Sequence, residues 1–149
     1  MRLADRLRGA VGRVIRWRTG GGVPVEGEVV RAEDGCVLVY EGVGLQALVP
    51  TDSLAFLAPL PGPAPEPGGR RRPTIQAVAR ELARTGARVR AMTPAGDVIG
   101  RIGRVGADYL DVVVDGPRGG NGERSLAGGA PRTGVVPVAL GALDVLRSR

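Results

Sequence analysis

The hydropathy pattern of the first third of the chain returns, element by element, after residue 74, and a chain that repeats its own plan must build two like units. The first repeat begins LADRLRGAVG, where Leu3, Leu7 and Val11 recur at helical spacing and Gly12 can end a helix. RVIRWRT follows, with Ile15 and Trp17 alternating against Arg16 and Arg18, the period of a half-buried strand. Glycines at 20–22 mark a turn, and VEGEVVRAEDG, CVLVYEG, LQALVP and SLAFLAP read as four more short strands. In the second repeat TIQAVARELARTG is a helix, with Thr74 as N-cap, Gly86 at its end, and Ile75, Val78, Ala79 and Leu82 as its buried stripe. ARVRAMT, VIGRIGRVGADY, LDVVVDG, GVVPVAL and ALDVLRS then supply five strands in the same order. Element against element, Thr19 matches Thr93, Gly22 matches Gly96, Gly27 matches Gly100, Asp34 matches Asp108, Gly42 matches Gly116, and Val49-Pro50 matches Val136-Pro137.

Between the repeats, Pro59, Pro61, Pro63, Pro65 and Pro67 stand at every second position. Neither a helix nor a central strand survives that density, so 59–73 is expected to be a semi-rigid extended linker. The expected organisation is a first helix and strand set at 1–58, the linker at 59–73, and a second helix and strand set at 74–149 with a glycine-rich hairpin loop at 116–134. Units of this size lie near the lower limit for a self-sustaining core, so they should lean on each other.

Catalysis and metal binding find little footing. The chain has no His and a single Cys, Cys36. That excludes a structural zinc site of four Cys or His ligands and the Ser-His and Cys-His nucleophile pairs. No convincing carboxylate pair is visible, so a non-enzymatic protein without metal or cofactor is expected. No apolar run approaches a membrane span and the opening residues lack a signal peptide's apolar stretch, so no membrane contact and a cytoplasmic location are expected.

All 21 basic residues are Arg, which together with abundant Ala, Gly, Val and Pro points to a GC-rich genome as much as to selection for Arg chemistry. The formal net charge is +6, and it is uneven. Residues 1–58 hold seven Arg and seven acids, whereas 74–149 hold eleven Arg against seven acids. The excess after residue 59 is the motive for a polyanion partner, RNA before DNA. The candidate contacts are Arg70, Arg71 and Arg72 in the linker, Arg88, Arg90, Arg101 and Arg104 on the first two strands of the second repeat, and Arg118 and Arg124 in the glycine-rich loop. Each has a plainer reading beside it: a solvated strand face for Arg88 and Arg90, with Arg16 and Arg18 as their first-repeat counterparts; a basic run too short for a patch at 70–72; a loop with a single RGG triplet at 118–120. Trp17, Tyr40 and Tyr109 are too scattered to stack bases, and Trp17 should anchor the first core. Cys36 reads as a small buried apolar residue and Asp34 and Asp108 as turn formers.

An apolar strand, a glycine turn, a further glycine, and an Asp leading to an apolar third strand run through VIRWRTGGGVPVEGEVVRAEDGCVLVY and, less regularly, VRAMTPAGDVIGRIGRVGADYLDVVV. This layout resembles Sm-like and other SH3-like small barrels. The resemblance implies an all-β fold with short helices: two tandem five-stranded small barrels, each preceded by an α-helix. Sm proteins bind RNA through an Asn near the third strand and an Arg-Gly pair near the fourth; here those places hold Leu38 or Asp111 and Val-Pro, so no Sm-type RNA residue carries over. Sm rings form when the fourth strand of one barrel pairs with the fifth of the next. Pro50 and Pro137, read as matched positions in the fourth strands, each remove a donor, so an ordinary ring is disfavoured and the two barrels should pack mainly on each other. LADRLRGAVG, VGADYLDV and VPVALGALDVLR also resemble segments of a family of uncharacterised actinobacterial proteins, whose members often carry an acidic helical N-terminal extension. That resemblance implies no activity. The alternative expectation is a protein-interaction or assembly module that offers barrel edges or the proline-rich linker to a protein partner.

Overall fold

A computed structural model describes residues 2–58, 60–62, 64, 72–114 and 134–149. It is mostly β, with two short helices, and its ten antiparallel strands form one sheet. No helix among the described residues is long and apolar enough to cross a membrane.

The first repeat contributes α1 (Leu3–Gly9), β1 (Val14–Thr19), β2 (Pro24–Glu33), β3 (Cys36–Gly42), β4 (Leu45–Pro50) and β5 (Leu54–Ala58). The second contributes α2 (Ile75–Thr85), β6 (Arg88–Thr93), β7 (Gly96–Val105), β8 (Tyr109–Val114), β9 (Gly134–Ala139) and β10 (Val145–Ser148). A single 3-10 turn separates the last two strands in each, at Thr51–Ser53 and Leu140–Ala142. Strand order across the sheet is β5-β1-β2-β3-β4-β10-β6-β7-β8-β9. Each half therefore runs fifth, first, second, third, fourth, and the halves join where β4 meets β10.

Local chemistry explains the elements. The Thr74 hydroxyl accepts from the Ala77 N–H at 3.3 Å to start α2, and Gly86, at φ 68°, closes it in the left-handed conformation that glycine adopts without strain. Val78, Ala79 and Leu82 are its buried stripe, as their spacing predicts. In α1 only Leu7 and, just beyond it, Ala10 are buried; Leu3 and Val11 face solvent, because so short a helix presents one turn to the sheet. The linker residues that are described fold back on α1: the Leu60 carbonyl accepts from Arg6 and the Ala64 N–H donates to the Asp5 carbonyl.

Gly27 and Gly100 do occupy one structural position, opposite Ile15 and Val89 in the first strands. A Cβ on either would sit inside van der Waals contact of a third-strand carbonyl, Tyr40 for the first and Val113 for the second. Three other matches shift. Gly96, opposite Thr93, corresponds to Val23 and not to Gly22, because Val25 and Val98 share one ladder position. Counting from the 3-10 turns and the ladders, Val49 corresponds to Val138, Pro50 to Ala139 and Leu48 to Pro137. The Val-Pro pairs are thus not equivalent. Pro50 also lies beyond the β4 residues that pair with β10, Gln46 to Leu48, so it removes no donor from that junction. Asp108 corresponds to Gly35 and not to Asp34: the Thr51 and Leu140 amides donate to the Gly35 and Asp108 carbonyls in turn. Gly116, matched with Gly42, and most of the expected loop at 116–134 lie outside the described residues.

Two hydrophobic clusters form, and they exchange side chains. Cys36, Leu38 and Leu48 of the first repeat join the second cluster with α2, Val89, Leu110 and Leu146. Val145 of the second repeat joins the first cluster, around Trp17, Val25, Val37 and Val49. The reason is alternation: β3, β4 and β10 lie inside the sheet and bury both faces, one toward each cluster. Polar ties reinforce the seam. Ser53 donates to the Asp144 carbonyl at 2.8 Å, and Arg31 meets Glu81 at 2.5 Å between β2 and α2.

Candidate nucleic-acid interface

The outer face of β6 is set by its alternation: Val89 and Ala91 point into the core, so Arg88 and Arg90 point out. Register supplies the neighbours. Arg90 lies directly opposite Arg147 on β10 and Ile99 on β7, and Arg88 lies opposite Arg101. With β3 and β4 as the far wall, Arg88, Arg90, Ile99 and Arg147 line a groove of about 590 Å³ that also includes Glu41, Gln46 and Arg149; Arg101 lies on the same strand face outside its lining.

The first repeat has the same concavity with different chemistry. Its five equivalent outward positions are Val14, Arg16, Glu26, Glu28 and Ala58; in the second repeat they become Arg88, Arg90, Ile99, Arg101 and Arg147. One cation and two anions give way to four cations. Arg16 is matched by Glu26 at 3.0 Å, whereas its counterpart Arg90 has Asp97 only at 3.9 Å. Like charges directly opposite on a sheet repel, and two such pairs side by side call for counter-charge.

Part of that counter-charge is internal. Glu41 holds Arg147 through Nε–Oε1 at 2.8 Å and Nη2–Oε2 at 3.1 Å, a two-pronged geometry. The Arg147 guanidinium also donates to the Pro24 carbonyl at 2.6 Å. Arg147 is therefore a clamp between the repeats as well as a groove wall. Arg101 donates from Nε to the Gly86 carbonyl at 3.1 Å, tying β7 to the end of α2.

The other expected contacts are dispersed. Arg104 is exposed within the irregularity of β7 between Ile102 and Val105, outside the groove's lining. Arg72 is half-buried and donates to the Ala32 carbonyl at 2.6 Å, which makes it an anchor for the linker's end on the first repeat. Arg70, Arg71, Arg118 and Arg124 lie outside the described residues. Arg18 turns to the Gly22 carbonyl in its own hairpin. The structure thus gathers Arg88 and Arg90 in the groove, sets Arg101 opposite Arg88 beside it, and adds Arg147 and Arg149, with Glu41 paired to Arg147. The alternation of VLRSR carried a signal for Arg147; nothing local in sequence points to Glu41.

Cys36 is buried, and that burial pushes its thiol up to about 12, far from a reactive thiolate. No cluster of His, Cys, Asp and Glu suited to a metal ion occurs among the described residues.

Comparison with known proteins returns no matching family, no matching curated protein and no matching solved structure.

Proposed function

We propose that the chain is a non-enzymatic nucleic-acid-associated module, built as two tandem Sm-like small barrels, that holds a phosphate backbone in the groove between them. The observation that carries this reading is the charge inversion at equivalent positions: Arg88, Arg90, Arg101 and Arg147 stand where the first repeat has Val14, Arg16, Glu28 and Ala58. At the five equivalent outward positions the first repeat carries one cation and two anions, and the second carries four cations on the same scaffold.

The groove offers guanidinium groups and no aromatic side chain among the residues lining it, so it suits phosphates in preference to bases. Binding on this reading is sequence-tolerant and salt-sensitive, RNA before DNA, with a cytoplasmic location. The resemblance to the actinobacterial family and to Sm-like barrels supports the architecture in this proposal and supplies no binding residue.

The test is a titration of labelled single-stranded RNA and duplex DNA at several salt concentrations. Affinity should fall steeply with salt, by roughly one unit of slope per phosphate neutralised. Arg88→Ser with Arg90→Ser should flatten the slope, while Arg16→Ser, whose charge Glu26 already balances, should leave it unchanged. No binding at low salt would overturn the reading and leave a protein-interaction module.

A further inference from the structure

The sheet ends in two different edges, β5 and β9, and the chain itself shows what an edge of the β5 kind receives. In the second repeat the equivalent strand, β10, is covered by β4: Leu146 pairs with Leu48 and Arg147 with Ala47. The positions corresponding to Leu146 and Arg147 are Leu57 and Ala58, and no strand among the described residues covers them. The concavity beside them, lined by Val14, Arg16, Glu26 and Ala58, lacks the wall that β4 supplies in its counterpart.

The other end cannot supply that wall. Pro137 sits where β4 has Leu48, inside an unbroken β8–β9 ladder opposite Asp111. A proline keeps such a place only where its missing N–H points away from the paired strand, which here is the free edge. β9 therefore lacks a donor where β4 meets β10. Asp111, moreover, stands where Leu38 packs into the neighbouring cluster, so the same contact would bury a carboxylate among apolar side chains. Head-to-tail addition of further chains is stopped at this end.

We propose that β5 instead pairs with β5 of a second chain, antiparallel about a two-fold axis, with Phe56 at its centre. Leu54–Ala58 contains neither a charge nor a proline, the devices that ordinarily protect an edge. An uncharged strand can meet itself without like-charge repulsion, which a two-fold interface requires. Phe56 and Val14 are each 73% exposed, and about a two-fold axis Phe56 faces Phe56 as a cross-strand aromatic pair. The pairing leaves the cationic groove open, since β4 and not β5 forms its wall.

Native mass measured over rising concentration tests this. The wild type should reach twice the 15.4 kDa chain mass, and Phe56→Glu, a change at an exposed site, should return it to the single-chain mass with an unaltered circular dichroism spectrum. Oxidised Phe56→Cys should give a disulfide-linked pair of chains, because a β5–β5 contact brings position 56 to itself, and should do so faster than Val43→Cys, a more exposed position off β5. Single-chain mass up to about 10⁻³ M, assemblies of three or more chains, or a Phe56→Glu protein that still pairs would overturn the proposal.

Discussion

Leu48 of β4 lies opposite Leu146 of β10, and both side chains are almost wholly buried although they belong to different repeats. This pair joins the two halves into one sheet and packs into the second cluster. Leu146→Ala should cost about 2–5 kcal/mol, the range for a buried leucine that leaves a cavity. Leu48→Pro, which gives β4 the residue β9 carries, should cost more, because it also removes a ladder donor. Chemical denaturation of the two variants checks the order; equal stability to wild type would mean that the junction contributes nothing.

Gly27 and Gly100 should resist substitution alike. An alanine at either drives a methyl group against the Tyr40 or Val113 backbone, which cannot rotate aside. Overpacking of this kind costs about 1–3 kcal/mol, and an alanine at position 27, where φ is 153°, adds backbone strain that glycine does not feel. Gly141→Ala, with open space around it, is the control that should leave the thermal midpoint within a degree or so.

Glu41→Gln should separate stability from binding. Removing the carboxylate leaves the Arg147 guanidinium half-buried beside Arg90 without its ion pair, at a cost of about 1–3 kcal/mol. The same change raises the positive charge of the groove. On the proposed function, RNA affinity at low salt should therefore rise while the denaturation midpoint falls. A variant that loses both would mark Glu41 as purely structural.

The Arg31–Glu81 pair predicts a small acid-sensitive contribution. The hydrogen bond from Arg31 holds the Glu81 carboxyl below its ordinary value of 4.5. The folded protein then binds this proton less readily than the unfolded chain does. The contribution is complete above about pH 4.5 and is lost as the pH falls through the depressed value. Both groups are substantially exposed, so its size is about 0.5 kcal/mol or less. The gap in urea midpoint between wild type and Glu81→Gln should be open at pH 7 and closed near pH 3.

The duplicated plan was legible because each element repeats its own periodicity, and α2 was legible because Thr74, Gly86 and its apolar stripe act within one turn of each other. The seam was not. Cys36, Leu38 and Leu48 look like ordinary members of apolar runs, and only the strand order reveals that they serve the other repeat's core. Matching Val49-Pro50 to Val136-Pro137 failed because a dipeptide carries no register; the 3-10 turns that fix the register have dissimilar sequences, TDS and LGA. At the groove, outward alternation on β6 made Arg88 and Arg90 visible. Glu41 and Arg147 are 106 residues apart, and no local rule connects them.

The crossing of side chains between clusters also bears on how the chain reaches its final form. β10 is the last strand in chain order, and it delivers Val145 to one cluster and Leu146 to the other. While the chain is being synthesised, Leu48 lacks its ladder partner Leu146 until β10 arrives about 100 residues later, a long-range closure that slows folding. Neither half can be cut out as an independent piece without opening the other. The chain repeats one plan twice, and the seam between the two units ties them into a single body.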